Sequence, residues 1–390
     1  MTRVLVVGAG LGGLVAALAL HDAGLDVEVR EQAPALGEVG AGLTVSRGAQ
    51  RVLAEIGVLD AVRARASSVR SNAFLHYRTG ALLDGAPDHS DGAPEPGQLV
   101  NLQIHRADLH EVLAAALAER APGAVRLDSR LVGLADLGSQ VEATFAGGAR
   151  TRADLVVGAD GLRSRVRELL WGAQDPRFTG QVAYRCLVPR ELAAPYLAAG
   201  RAAVYLGPGR VLNRYALRGG ALVNCAAIAQ ADGWREEGWT TPATSAELLA
   251  LYDGWHPDVL GLFAAAPADG LRKWALYDRE PLARWRSGRV TLLGDAAHPM
   301  LPFLGLGSAM AIEDGLVLAR ALQASPDEAG LDAYERARRP RTTEVMLLSR
   351  HEATLVQARD PDRFDPAAAP SRNPALYDFD PPAVASAGGR

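Results

Sequence analysis

The pattern of apolar and polar positions divides the chain into two kinds of region. Near the start, a short β-branched run at 3–7 leads into a glycine-rich turn, a helix-like stretch that ends at Gly24, and a second apolar run at 26–30. Strand, helix and strand in this order predict a βαβ unit of a parallel sheet. Later runs follow one another without such alternation, which predicts a mainly antiparallel sheet. These later strands are predicted at 182–188, 202–206, 211–217, 221–229 and 270–276, with one helix-like stretch at 245–255.

Two helices are predicted after the loop that ends at Gly307. One helix is expected from Ser308, as its N-cap, to about 323. A second, long and rich in arginine, is expected from 331 to about 357, interrupted or kinked at Pro340, with its charges on a solvated face. The segment 360–390 is rich in Pro, Ala and Asp, which predicts a tail that is partly disordered or wraps the body.

The first glycine-rich turn carries a dinucleotide-binding pattern. Gly8, Gly10 and Gly13 form a G-x-G-x-x-G sequence between strand and helix, and Glu31 follows the second strand. In this pattern the first glycine permits the tight turn, the second lets the backbone approach a pyrophosphate, and the third allows close helix–strand packing. Glu31 can accept hydrogen bonds from a ribose. The context of strand, turn and helix makes the motif more specific than the glycines alone.

Two further motifs place a carboxylate at the end of a strand. Asp160 follows the apolar run 155–157 and precedes Gly161 and an arginine-rich helix start. Asp295 follows the run 290–293 and precedes a loop that holds two prolines and two glycines. A helix begins after this loop, and its N-terminus offers unpaired N–H groups to an anionic group.

Together these motifs resemble the single-component FAD-dependent aromatic hydroxylases, of the para-hydroxybenzoate and salicylate hydroxylase type. GDAAHP with the G-x-G loop and AMAIEDG resembles the second flavin motif of that family, and GADGLRSR resembles its DG motif. The motifs span residues 3–318, most of the chain. The resemblance implies an α/β fold: a Rossmann-like FAD-binding domain, an interleaved, mainly antiparallel substrate domain, and C-terminal helices. The FAD-binding domain is expected at 1–70, 99–177 and 286–325, the substrate domain at 71–98 and 178–285, and the C-terminal helix and tail at 326–390.

The resemblance also implies which residues contact the flavin. Asp295 is expected at the ribitol, Asp160 at the pyrophosphate, and Arg106, which begins a predicted helix, at FAD. The loop that contains Gly40 and Gly42 is expected beside the flavin ring. The full set of expected FAD contacts is Gly8, Gly10, Leu11, Gly12, Gly13, Glu31, Gly42, Arg106, Val132, Asp160, Asp295, Gly305, Leu306 and Gly307.

Composition narrows the choice of function. The chain has 390 residues and a formal net charge of −4, so it has no basic footprint for nucleic acid. Lys273 is its one lysine, so no Walker-type G-K-[ST] loop exists. Cys186 and Cys225 have no C-x-x-C spacing, which argues against a redox-active disulfide and a secreted disulfide framework. Without an 18-residue apolar run or a signal peptide, the chain is expected to be cytoplasmic, with no membrane partner. It is expected to be a monomer or homodimer, with no metal.

Candidate substrate contacts lie on the later strands and on the GDAAHP loop. Relatives that hydroxylate hydroxybenzoates often carry His-Tyr-Pro where this chain has Arg214, Tyr215 and Ala216. A fixed cation in place of a histidine suits a substrate carboxylate or enolate. The candidate catalytic residues are Arg214, Tyr215, Tyr184, His298, which is expected mainly to fix the loop, and Pro299.

The resemblance implies a monooxygenase driven by NADH or NADPH and O2. It would hydroxylate an aromatic or heteroaromatic phenol or hydroxy acid through a C4a-hydroperoxyflavin, a salicylate hydroxylase-like reaction. An alternative is another oxygenation on the same scaffold: urate-type hydroxylation, N-hydroxylation or epoxidation. Halogenation is disfavoured, because the chain has no W-x-W-x-I-P run. A protein that binds FAD for sensing, without turnover, is the remaining class.

Overall fold

The computed structural model describes residues 1–37, 41–69, 73–83, 100–197, 202–231 and 241–382. Gly40, Trp234 and Trp239 lie outside this part of the chain. Along the chain, the helices and strands are β1 (Arg3–Val7), α1 (Leu11–Asp22), β2 (Asp26–Arg30), β3 (Gly42–Val45), α2 (Arg47–Glu55), α3 (Leu59–Arg63), β4 (Ser67–Val69), β5 (Ala73–His76), β6 (Asn101–His105), α4 (Arg106–Arg120), β7 (Val125–Arg126), β8 (Leu131–Asp136), β9 (Val141–Phe145), β10 (Arg150–Ala153), β11 (Leu155–Gly158), α5 (Arg165–Trp171), β12 (Arg177–Pro189), α6 (Arg190–Ala193), β13 (Ala203–Gly207), β14 (Arg210–Leu217), β15 (Leu222–Gln230), β16 (Thr241–Pro242), α7 (Ser245–Leu251), α8 (Pro257–Ala264), β17 (Arg272–Asp278), β18 (Arg286–Ser287), β19 (Val290–Leu292), α9 (Gly307–Ala324) and α10 (Glu328–Val356).

The first sheet is the predicted Rossmann-like one. Its strand order is β18-β19-β11-β1-β2-β7, and β1 pairs in parallel with both β2 and β11. The central strands are apolar runs because both faces are covered, as is usual for parallel strands. Since parallel strands end at one edge, the loops that follow β1, β2, β11 and β19 meet there. Those loops carry the predicted glycine motif and the predicted carboxylates.

The second sheet has seven strands in the order β16-β17-β12-β15-β14-β13-β5. All its neighbouring pairs are antiparallel except β13 and β5, which are parallel. The predicted antiparallel sheet is therefore confirmed. One face packs on α7 and α8, and the other faces a large cavity. Helix α8 was missed, because the predicted helix at 245–255 ends at Leu251 and a second one begins at Pro257.

Two details of the predicted C-terminal helices are wrong: the N-cap at Ser308 and an interruption at Pro340. Helix α9 begins at Gly307 with Leu306 at its N-cap, and Ser308 donates to the Thr44 carbonyl at 3.5 Å instead of capping. Helix α10 runs unbroken from Glu328 to Val356 through Pro340. Its N-cap is Asp327, whose carboxylate accepts from the Ala329 N–H at 2.9 Å. In the part of the chain that the structure describes, no helix is both long and apolar enough to cross a bilayer.

Candidate functional site

The glycine-rich turn between β1 and α1 forms a cradle that is open at one position. A Cβ on Gly8 (φ +107°) would lie 2.5 Å from the Ala159 oxygen, and one on Gly13 would lie 2.0 Å from the Gly8 oxygen. These two glycines therefore let β1, β11 and α1 pack closely. At Gly10 an added Cβ would meet nothing within 4 Å. The space in front of Gly10 belongs to the cavity, so this glycine keeps room for a ligand.

Glu31 lies where β2 ends, beside the same turn. One of its carboxylate oxygens accepts from the Ala9 N–H and the other from the Ala33 N–H, both at 2.8 Å. Each oxygen keeps a further lone pair. Glu31 also lines the cavity. It is therefore fixed in place by the backbone and still able to accept a hydroxyl, as a ribose would require.

Asp160 holds the start of α5 at the cavity edge. It accepts from the Ser164 hydroxyl and from the Val166 N–H, the latter at 3.0 Å. Burial raises the pKa of Asp160, against these hydrogen bonds, which favour its charged form. The carboxylate thus orients the turn between β11 and α5 next to the glycine cradle.

Asp295 points into the cavity from the end of β19. It accepts no hydrogen bond from the described residues, and burial raises its pKa, while His298 and Arg106 oppose that change. Arg106 lines the cavity at the start of α4, and its N–H donates to the Ala41 carbonyl at 2.9 Å. A carboxylate that lines a cavity without a hydrogen-bond partner among the described residues is suited to a hydroxyl-bearing ligand such as the ribityl chain of FAD.

His298 belongs to a buried network behind this loop. Its Nε2 lies 2.5 Å from Oδ2 of Asp314, and this oxygen also accepts from the Gly294 N–H at 3.0 Å. The other oxygen, Oδ1, accepts from Arg338 at 2.7 Å. Burial alone would raise the pKa of Asp314, but His298 and Arg338 outweigh it and lower the pKa to about 2. The network fixes Gly294, the residue before Asp295. His298 does not line the cavity, so its inclusion among catalytic residues is corrected to a positioning role.

Sequence reasoning missed Asp314 and Arg338. Arg338 is fully buried on α10, which contradicts the expectation that the charges of this helix form a solvated face. It also forms an ion pair with buried Glu313 at 3.0 Å. The adjacent acidic residues of the predicted helix α9 were the available signal, because two buried carboxylates require cations.

The cavity between the sheets has a volume of about 900 Å³. Its floor is one face of the seven-stranded sheet, where alternate residues of each strand point the same way. From β12, β14 and β15 the floor receives Ala183, Arg185, Leu187, Val211, Asn213, Tyr215, Asn224, Ala226 and Ile228.

Two predicted substrate contacts lie on the opposite face of this sheet. Arg214 is fully buried there, with its guanidinium carbon 5.9 Å from the centre of the Tyr205 ring. Tyr184 donates its hydroxyl to Glu247 of α7 at 2.9 Å. Neither side chain lines the cavity. Both predictions are corrected for the same physical reason: neighbouring positions on a strand point to opposite faces.

Tyr215 does face the cavity, as predicted. Burial raises the pKa of its hydroxyl to about 12, so the group is a neutral phenol at neutral pH. Its ring packs against Gly42, where an added Cβ would lie 2.5 Å from the ring carbon Cε2. The Gly42 N–H donates to Asn224 at 3.0 Å. The floor of the sheet thereby fixes the loop that the sequence placed beside the flavin.

Arg185 is a cation that the sequence prediction did not select. It donates to the Gly42 carbonyl at 3.0 Å, and its guanidinium carbon lies 5.1 Å from the centre of the Trp274 ring. Burial lowers the pKa of Arg185. Within the described ranges it forms no ion pair with a carboxylate. Its remaining N–H groups therefore face the cavity with no negative charge to compensate them.

The other predicted contacts divide into two groups. Leu11, Gly12, Gly42, Gly305 and Gly307 line the cavity, and Gly305 has a φ of +65° that favours glycine. Four do not line it: Gly13 packs inside the turn, Val132 accepts from Arg165 at 3.1 Å through its carbonyl, and Leu306 and Pro299 are buried. None of these four residues has surface at the cavity, so the structure gives none of them a direct contact with whatever the cavity binds.

The described part of the tail wraps the body and closes one side of the cavity. Tyr377 donates to the Leu304 carbonyl at 3.0 Å, and Ser371 donates its hydroxyl to buried Glu352 at 2.6 Å. Ser371, Arg372 and Tyr377 line the cavity. The tail is therefore part of the site wall, which composition alone did not indicate.

Comparison with known proteins agrees with this geometry. A family model described as FAD binding domain matches residues 1–349. A 3-amino-4-hydroxybenzoate 2-monooxygenase of Streptomyces platensis is 35% identical over 350 residues, 89% of this chain and 87% of that protein. A 6-hydroxynicotinate 3-monooxygenase of Pseudomonas fluorescens is 34% identical over 92% of this chain and 93% of its own length. A salicylate hydroxylase substrate complex superposes with a TM-score of 0.78 at 27% identity, covering 97% of this chain and 92% of that one.

Proposed function

Because the chain belongs to the family of single-component FAD-dependent aromatic hydroxylases, we propose that its substrate is an aromatic or heteroaromatic hydroxy acid whose carboxylate binds Arg185. The protein is an FAD-dependent monooxygenase that uses NAD(P)H and O2 to hydroxylate an aromatic ring. The observation that carries the proposal is the unpaired charge of Arg185 on the cavity floor. A half-buried cation without a carboxylate partner is stabilised when an anionic ligand binds.

The residues around the glycine cradle fit FAD. We assign Glu31 to the adenosine ribose, the turn at Gly10 to the pyrophosphate and Asp295 to the ribityl chain. Arg106 adds positive charge close to Asp295, which would favour the negatively charged phosphate groups of FAD. When bound, FAD supplies electron transfer from NAD(P)H and the activation of O2.

The protein's own contribution to the reaction is to bind the ring, orient it and exclude water. Arg185 would hold the carboxylate, while Tyr215, which remains protonated, could donate a hydrogen bond to an oxygen on the ring. Apolar side chains of the floor, with Leu301 and Phe303 above them, reduce the access of water. Charge-assisted bonds are stronger in such an enclosed site than in water.

The test combines a substrate screen with three variants. NADH and NADPH oxidation is followed with hydroxybenzoates, aminohydroxybenzoates and hydroxynicotinates, and products and peroxide are quantified. For an accepted acid, Arg185→Met should weaken binding about 10- to 100-fold, since a charge-assisted hydrogen bond contributes roughly 1.5–3 kcal/mol. Arg185→Lys should restore part of the affinity.

Arg214→Met is the control, because Arg214 lies on the face of the sheet opposite the cavity. It removes an arginine of strand β14, two strands away from β12 in the same sheet, that points away from the cavity. Substrate affinity should therefore stay within about twofold of the wild type in the folded, flavin-loaded protein. The proposal is wrong if Arg185→Met leaves the affinity for every accepted acid unchanged, or if only uncharged rings are hydroxylated.

A monomeric or homodimeric state and a cytoplasmic location are also proposals. The two cysteines, Cys186 and Cys225, are buried and unbridged, as suits a reducing compartment. Size-exclusion chromatography with light scattering tests the state of assembly.

A further inference from the structure

One row of residues crosses the cavity floor from strand to strand. In register, Arg272 lies beside Arg185, Arg185 beside Ala226, Ala226 beside Asn213, and Asn213 beside Val204. All five line the cavity. Two arginines, Arg272 and Arg185, therefore lie at one end of the row and the apolar Val204 at the other. Asn213, the uncharged polar residue of the row, is separated from the arginines by Ala226.

Ala226 makes a gap in the middle of this row. Adjacent strands lie about 4.8 Å apart, so Arg185 and Asn213, two strands apart, are separated by about 10 Å at the backbone. The methyl group of Ala226 leaves the space between the two longer side chains open. A flat ring can lie over Ala226 with one substituent directed to Arg185 and another to Asn213.

Asn213 has a hydrogen-bonding capacity that the described protein residues do not use. Its Oδ1 is buried and accepts no hydrogen bond from them. Because no hydrogen bond from the described residues fixes the amide, a half-turn about its Cβ–Cγ bond exchanges its two ends and turns this oxygen to the cavity that Asn213 lines. Its neighbour on the floor, Asn224, differs, because the Oδ1 of Asn224 accepts from the Gly42 N–H at 3.0 Å. A buried acceptor without a partner destabilises the site, and a ligand that supplies a donor removes this cost.

We propose that Asn213 determines substrate specificity by accepting a hydrogen bond from a hydroxyl, amino or ring N–H group on the end of the substrate opposite the carboxylate. The inference rests on the proposed function for the position of the carboxylate at Arg185. It narrows the substrate class to acids with a hydrogen-bond donor across the ring. Acids that carry a methyl or methoxy group at that position leave the Asn213 oxygen unpaired and bind more weakly.

The test measures dissociation constants from changes in the absorbance of bound flavin. The ligands are 4-hydroxybenzoate and 4-aminobenzoate, which carry a donor, and 4-methoxybenzoate and 4-methylbenzoate, which do not. The wild type should prefer the donor ligands by about 10- to 100-fold. Asn213→Leu should reduce this ratio to near one, whereas Asn213→Asp, which keeps an acceptor, should retain it in part.

Two further variants separate the possible failures. Arg185→Met should weaken the binding of all four ligands to a similar extent. The ratio of affinities between ligands with and without a donor should stay as in the wild type. Ala226→Val should weaken all four by filling the gap. If Asn213→Leu, still loaded with flavin, keeps the full donor preference, the role of Asn213 is overturned. If Arg185→Met weakens the binding of none of the acids, the proposed role of Arg185 in the function is wrong. The ratio of affinities between ligands with and without a donor still tests the role of Asn213 in that case.

Discussion

Replacing Arg338 tests whether the buried ionic network stabilises the flavin loop. Arg338 is fully buried and pairs with Glu313 at 3.0 Å and Asp314 at 2.7 Å. Arg338→Met leaves two buried carboxylates short of a cation. Removing one partner of a buried ion pair costs about 3–5 kcal/mol of unfolding free energy. The loop that carries Asp295 should loosen as well, so flavin should bind more weakly.

The effect should depend on pH with a definite sign. In the wild type the pKa of Asp314 is about 2, below its ordinary value of 3.8, a difference equivalent to roughly 2 kcal/mol. Because the folded-state pKa is the lower one, this contribution is complete above about pH 4 and is lost as pH falls towards 2. Without Arg338, burial raises the pKa of Asp314, and only His298 and the hydrogen bond from the Gly294 N–H oppose it. The difference between variant and wild type should therefore be largest near pH 7 and shrink towards pH 4.

Urea unfolding of flavin-saturated protein, followed by circular dichroism at pH 7 and pH 4.5, measures this difference. The control is Arg339→Met on the same helix, whose partly exposed pair with Glu335 spans 3.5 Å and should contribute less than about 1 kcal/mol. The reasoning is refuted if both variants lose the same free energy of unfolding, or if the loss caused by Arg338→Met grows as the pH falls.

The remaining predictions concern the flavin and the loop beside it. The purified protein should be yellow, and acid should release FAD and not FMN. Asp295→Ala should abolish flavin retention, whereas Arg163→Ala, at an exposed position, should keep flavin but slow its anaerobic reduction by NAD(P)H; equal effects on flavin binding would contradict this division. Gly42→Ala should weaken substrate binding by roughly tenfold or more with flavin retained, because its Cβ would overlap the Tyr215 ring, as steady-state kinetics can show.

The positions of the residues that we propose hold FAD could be predicted because their signals are local. Strand, glycine turn and helix are adjacent in the sequence, and a carboxylate at a parallel strand end must lie at the common edge. Glu31, Asp160 and Asp295 accordingly all line the cavity.

The substrate end could not be predicted in the same way. Strand β14 is buried on both faces, so its sequence has no clean alternation to show which residues face the cavity. Arg214 and Asn213 are neighbours, yet helices α7 and α8 cover one face and the cavity lies on the other. Which face is covered depends on residues far along the chain. For the same reason, the arginine spacing of α10 did not reveal that Arg338 is buried.

The tail gives the cavity a wall from residues more than 350 positions after the glycine turn. Tyr377 reaches the Leu304 carbonyl, and Arg47 of α2 donates to the Pro374 carbonyl at 2.7 Å. During synthesis the N-terminal βαβ unit can form long before this wall exists. The cavity can therefore be enclosed only after residues 371–377 have left the ribosome, and a fragment that lacks them should leave the cavity open to solvent on that side.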